Sequence, residues 1–321
     1  MLGFLKKVGV FVASLILILL LNIFLFSCGG DAPTLEGDLV SFTDALGREV
    51  TVRKNPERVA ALIGSFADVW VLSGGELCAA AEDAKEDFGL SLDGAVNIGG
   101  AHSPSLELLL SADPELVLAS ASTASNLDMK DTLEAVGITV AYFDVDNFED
   151  YLAMLEICTR ITGRADLYEK NGLAIKREID LIKAEFSSAD IPEEMRKILL
   201  LRTSQSSVKA KGSHGTILGE MLSDLGCINI ADSDSGLLEN LGVESVIREE
   251  PYRIFAVAMG NNTEAAVASL ENMIKENPAW QTLSAVRDGR LHIMDKSLFN
   301  LKPNDRFAEA YRLLYEILTE E

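Results

Sequence analysis

The sequence is poor in the residues from which metal and catalytic centres are usually built. Among 321 residues there are three His, four Cys and two Trp. Three scattered His do not make the convergent donor set that a zinc or manganese carrier needs. Four Cys in a chain of this length are no disulfide framework. The patterns G-x-S-x-G, H-E-x-x-H and G-x-x-x-x-G-K-S/T are missing, which removes the most recognisable hydrolase and nucleotide-binding signatures. Positive charge is scarce as well: 28 Lys+Arg face 50 Asp+Glu, a net charge of −22. Phosphate backbones repel such a chain, so no nucleic-acid partner is expected. With 48% hydrophobic residues the chain is not disordered. At about 150 residues per domain, its length predicts two domains.

Acids are absent before Asp31, and there the one long apolar run lies. Lys6 and Lys7 precede Val8–Phe26, the layout of an export signal. The run closes on Leu25-Phe26-Ser27-Cys28-Gly29-Gly30. This resembles a lipobox, with Leu three residues before the Cys and a small residue directly before it; Phe26 is bulkier than the usual residue at its place. The resemblance implies cleavage before Cys28 and lipidation of that residue. The alternative is an uncleaved anchor, since nineteen residues span roughly 28 Å as a helix. Either way Lys6 and Lys7 hold the N-terminus inside and the remainder outside the cytoplasm. Loss of the leader removes two Lys and no acid, leaving 26 basic against 50 acidic residues, net −24.

Beyond it, short apolar runs alternate with helical patterns. Val59–Ile63, Leu116–Ala119, Ile138–Phe143, Ile198–Leu201, Ile254–Val257 and Leu291–Met294 are near-continuous, as parallel strands covered on both faces require. Two stretches repeat. Glu107 opens a short helical segment that reaches Pro114 before one strand, and Glu244 opens another that reaches Pro251 before a second. Two similar α/β lobes are predicted. Between them, Ile175, Ile179, Ile182 and Phe186 fall on one face of a helix over about 165–187. The expected organisation is a leader over 1–28, a tether over 29–40, a lobe over 41–146, linking helices over 147–190 and a second lobe over 191–321.

This order, with Phe42–Val52 followed by Asn55-Pro56-Glu57-Arg58-Val59, and with Leu225–Ala231, resembles the substrate-binding lipoproteins of ABC importers for iron–siderophore, haem and cobalamin. The resemblance covers residues 40–320. At Phe66-Ala67-Asp68 the chain departs from it, since the family more often has a small residue and then Thr-Glu. It implies a class III periplasmic-binding-protein fold: two Rossmann-like lobes with mainly parallel sheets joined by a single long helix. It also implies a monomer, lipid-anchored on the outer face of the membrane, that carries a small metal chelate to a permease dimer with its ATPase subunits. No intrinsic cofactor and no enzyme activity are expected. In that family one exposed Glu on each lobe docks on the permease, a role that falls here to Glu107 and Glu244.

Open α/β sheets bind ligands at the carboxyl ends of their strands. In the first lobe this selects Ser65, Phe66, His102 and Ser122. In the second it selects Arg202, Ser204, Lys209, Lys211, His214, Met259 and Asn261, with Lys302 and Arg306 in a later loop. Two Lys and a His within residues 209–214 suit an anionic ligand. No direct metal ligand is assigned, though His102 or His214 would serve if the ligand were haem. Cys78, Cys158 and Cys227 read as small buried hydrophobes. The competing readings are an anchored extracellular hydrolase and a zinc or manganese importer component. Cys28→Ala should abolish fatty-acid labelling of the protein; unchanged labelling would remove the lipobox.

Overall fold

The computed structural model describes residues 38–320, so the leader, Cys28 and most of the expected tether lie outside the described residues. Of these, residues 40–320 belong to one compact unit. β1 (Leu39–Thr43) and β2 (Glu49–Arg53) make a two-stranded sheet. Strand therefore begins inside the segment expected to be tether. Both strands bury alternate residues, Val40, Phe42, Val50 and Val52, the period-2 pattern of a half-buried pair.

The first large sheet contains β3 (Val59–Ala61), β4 (Ala79–Ala80), β5 (Val96–Asn97), β6 (Leu116–Ser120) and β7 (Thr139–Phe143). All neighbours are parallel and the order is β5-β4-β3-β6-β7. The second contains β8 (Lys197–Ser204), β9 (Ser207–Lys211), β10 (Ile228–Asn229), β11 (Arg253–Ala258) and β12 (Leu291–Met294). Its parallel order is β10-β8-β11-β12, and β9 folds back antiparallel on β8. The apolar runs located six of these ten strands. β4, β5 and β10 are two residues each, too short to leave a pattern, and β9 carries Lys209 and Lys211, which broke the apolar run.

Each main strand is apolar on both faces because each face meets a different core. From β6, Leu116 and Leu118 point into one core, and Val117 and Ala119 into another. From β11, Phe255 and Val257 share the first of these cores, and Ile254 and Ala256 enter a third. One continuous core thus runs from the inner face of the first sheet to the inner face of the second.

Three helices fill the space between. The first, Phe148–Thr162, is capped by Asn147, which accepts from Asp150 N at 3.0 Å, and stops at left-handed Gly163. The linking helix runs over residues 165–188, about 36 Å at the α-helical rise. It buries Ile175, Ile179, Ile182 and Phe186 as predicted. Its second turn was not foreseen in detail: Glu169–Leu173 is a π-turn. The wider turn leaves the Asn171 carbonyl to accept from the Tyr151 hydroxyl at 2.7 Å, while Asn171 Nδ2 donates to the Leu72 carbonyl at 2.8 Å. The last helix, Phe307–Thr319, lies along the linking helix. Its first residue, Phe307, is fully buried against Phe148 and Tyr151, with ring centroids 5.4 and 5.6 Å away.

Cys158 is buried, whereas Cys78 and Cys227 are half-buried; all three are free. No helix among the described residues is long and apolar enough to cross a membrane. Phe307→Ala removes the ring that packs the last helix against Phe148–Thr162 and should cost about 3–5 kcal/mol. Urea denaturation measures it; a loss under 1 kcal/mol would show that the sheets are held together elsewhere.

Candidate functional site

Strand order marks where a site is expected. In the first sheet the chain reverses direction of travel between β3 and β6, and in the second between β8 and β11. Crevices open at such points, beyond the carboxyl ends of the strands. The candidate residues fall there: Ser65 after β3, Ser122 after β6, Arg202 and Ser204 at the end of β8, Met259 and Asn261 after β11.

The first-lobe rim is a set of hydrogen-bonded turns. Ser120 N donates to Asn126 Oδ1 at 2.9 Å, and Ser122 N to Ser120 Oγ at 3.2 Å. Ser125 Oγ donates to the Ala101 carbonyl at 3.2 Å, which holds the turn carrying His102 against this corner. His102 and Ser122 are exposed. Ser65 is buried, and its carbonyl accepts from Asn304 Nδ2 at 2.9 Å. Phe66 is turned away from the rim. It is 1% exposed and packs edge-on to Phe143 at 6.1 Å, inside the shared core. Asp83 was not anticipated: it accepts from Gly64 N at 2.9 Å, and its other oxygen is buried without a partner. Burial raises its pKa.

The second-lobe rim carries the charge. Arg202 pairs with Lys209 across the β8–β9 hairpin, and Leu200 with Lys211. Register therefore sets Arg202, Lys209 and Lys211 on one face. None of the three has an ion-pair partner among the described residues, and the buried Arg202 Nε has no acceptor at all. Burial lowers the pKa of Arg202; burial lowers that of Lys211 too, and the charges of Arg202 and Lys209 add to it. In a chain of net −22 three cations have been gathered without a counterion. Ser204 and Ser207 share a 2.9 Å hydroxyl contact at the hairpin turn. Met259 and Asn261 are exposed beyond β11.

Other candidates stand apart from this cluster. His214 bonds Glu220 at 3.1 Å through Nδ1, on an exposed turn. Arg306 makes a two-pronged pair with Glu309, at 2.8 and 2.9 Å, and touches Ser297 Oγ at 3.3 Å. Its guanidinium is thus already neutralised. Lys302 is half-buried among Asp144, Asp146 and Asp150; burial lowers its pKa and these carboxylates oppose the shift. Lys296 bridges to Asp87 at 3.0 Å and ties the loop after β12 to the first lobe. No group of three or more His, Cys, Asp or Glu among the described residues could hold a metal ion.

The duplicated glutamates occupy matching places. Glu107 is the second residue of the Leu106–Ser111 helix, and Glu244 the second of Val243–Glu249. Both are exposed and unpaired among the described residues. Each helix runs into a left-handed residue just before its proline, Asp113 with φ 48° and Glu250 with φ 45°, and then into β6 or β11. The repetition is structural, not only sequential.

Two α/β lobes, facing switch points and one long connecting helix define the class III periplasmic-binding-protein fold. Residues 59–298 match the family described as periplasmic binding protein, and the chain belongs to that family. YhfQ of Bacillus subtilis (strain 168), provisionally named an ABC transporter substrate-binding lipoprotein, is 22% identical over 312 residues, 91% of this chain and 93% of YhfQ. The Fe(3+)-citrate-binding protein YfmC of the same organism is 24% identical over 253 residues, 77% of this chain and 76% of YfmC. Among solved structures, Staphylococcus aureus SirA complexed with staphyloferrin B superposes with a TM-score of 0.66 at 20% identity, covering 88% of this chain and 99% of SirA.

An unpaired buried guanidinium N–H costs about 1–3 kcal/mol. Arg202→Met should therefore stabilise the ligand-free protein, by about 1 kcal/mol, as mutations that relax a binding site often do. Chemical denaturation reads this; a variant less stable than the parent would make Arg202 a structural residue.

Proposed function

We propose that this chain is the substrate-binding component of an ABC importer and that its substrate is an anionic ferric chelate of carboxylate type. The observation that carries the reading is the Arg202, Lys209 and Lys211 cluster. Bringing three cations together without counterions is unfavourable in the empty protein. Ligand carboxylates would relieve the repulsion and give Arg202 Nε its acceptor, with charge-assisted hydrogen bonds stronger than neutral ones. The names of YfmC and SirA, which bind Fe(3+)-citrate and staphyloferrin B, support the same class.

In this reading the protein captures and delivers without chemistry. Cys28 anchors it by lipid to the outer face of the membrane, and it acts as a monomer. The chelate enters between the lobes, whose base is braced by the linking helix, so that closure is limited. Glu107 and Glu244, one on each lobe, engage a basic permease surface, and the hydrolysis of ATP belongs to other subunits. Rim carboxylates of this kind set orientation and encounter rate more than affinity. Haem is the second reading, favoured by His102, which is exposed and free of hydrogen bonds among the described residues.

Two variants separate binding from delivery. Calorimetric titration with ferric citrate should show Lys209→Gln/Lys211→Gln binding at least tenfold weaker, with a smaller dependence on salt. Glu107→Ala/Glu244→Ala should bind normally and fail to support uptake. Unchanged affinity in the lysine variant, or tight binding of haem in its place, would overturn the chelate reading.

A further inference from the structure

The departure at Asp68 leads to a junction that ligand binding does not explain. Asp68 lies in the Gly64–Leu72 helix that follows β3. Asn304 lies 236 positions later, between β12 and the last helix. Asn304 Nδ2 donates both to Asp68 Oδ2 at 2.8 Å and to the Ser65 carbonyl at 2.9 Å. Asn304 has no exposed surface and sits in the left-handed region, with φ 51°. A non-glycine residue stays there when its surroundings over-determine it. Its Oδ1 is buried and has no donor. Turning the amide over is no remedy, because the oxygen would then face a carbonyl and a carboxylate.

A buried amide oxygen without a donor carries a desolvation cost. The group missing here is an O–H, and a protonated carboxyl beside an amide supplies it. In such a pair the amide N–H donates to the acid carbonyl and the acid O–H donates back to the amide oxygen, closing an eight-membered ring. We propose that Asp68 and Asn304 form a proton-operated clasp between the lobes. One proton taken from solvent onto the free oxygen of Asp68 closes the ring with Asn304. It ties the helix after β3 to the segment after β12. No other bond changes.

The surroundings favour proton uptake. Burial pushes the Asp68 carboxyl up to about 6, the Asn304 donor opposes this, and Asp305 reinforces it. The remaining ionisable groups facing the pair are the Tyr151 phenol, which burial keeps protonated, and Arg306 and Lys170, whose charges reach Asp305. Arg306 is held by Glu309. No cation contacts Asp68 among the described residues. Its acid pKa is raised on folding, so the folded state holds the extra proton between the ordinary carboxylate value and about 6. Stability is therefore greatest below that window, falls as pH rises through it and is level above. The clasp holds both of its hydrogen bonds in mild acid and only the Asn304 N–H bond at neutral pH, whichever ligand the cleft takes.

Asp68→Asn tests it, since an amide at 68 can donate to Asn304 Oδ1 at every pH. With a folded-state value of about 6, the folding equilibrium of the parent should change about tenfold between pH 5 and pH 7.5 relative to Asp68→Asn. Subtracting the variant removes the titration of the other carboxylates. Carbon-13 NMR of the Asp68 carboxyl in the unmodified protein, which needs no variant to fold, should show a midpoint near pH 6. A midpoint in the ordinary carboxylate range, or a parent-minus-variant difference that is flat with pH, would overturn the clasp.

Discussion

The ring of Phe307 lies fully buried between Phe148 and Tyr151, and much of the structure depends on that contact. Each large sheet could close its outer face alone. The inner faces cannot, because Leu116, Leu118 and Phe143 on one side and Leu200, Phe255 and Val257 on the other belong to one continuous core. Apolar burial of this extent favours a single cooperative body over two lobes that fold and move independently. The three helices threading the core fix the distance between the two sets of strand ends. Tyr151 also binds the carbonyl released by the π-turn of the linking helix, so the aromatic wedge and the one irregular turn of the connection brace each other.

The consequence for the candidate site is that its two rims are positioned in advance. Hydrogen-bonded turns fix the first-lobe rim, and a β-hairpin fixes the second. The hairpin is why the cations lie so close: register, not loop chance, places Arg202 beside Lys209 and Lys211. A flexible loop could swing two lysines apart and reduce their repulsion. A strand pair cannot. The protein therefore holds an electrostatic stress that, in the proposed function, a bound anion would relieve, and the acidity of the chain raises the contrast between this patch and the remaining surface. Elsewhere, Asn304 and Lys296 join the lobes through Asp68 and Asp87 of the first. Lys296 is paired with a carboxylate, whereas the hairpin cations have no ion-pair partner among the described residues.

Much of this architecture could be read from residue order. The near-continuous strands were legible because cores lie on both of their faces. The linking helix was legible from the spacing of four apolar residues, and the duplication from two glutamates at equal distance from two prolines. Short strands such as Ala79–Ala80 were not, since two residues carry no period. β9 was hidden by its own lysines. Phe66 read as a cleft residue because it follows β3, but one helical turn rotates it into the core. Arg306 read as a ligand cation, although Glu309 stands three residues on, the spacing of a helical ion pair. Asn304 could not have been paired with Asp68 from sequence at all: 236 positions separate them, and only the fold brings the amide to the carboxylate.

The structure of the protein loaded with a ferric carboxylate chelate tests the central claim most directly. A chelate oxygen within hydrogen-bond distance of Arg202 Nε, with Lys209 and Lys211 closing on the same ligand, is the predicted result. A loaded cleft in which Arg202 Nε still lacks an acceptor, and the two lysines point to solvent, would contradict it.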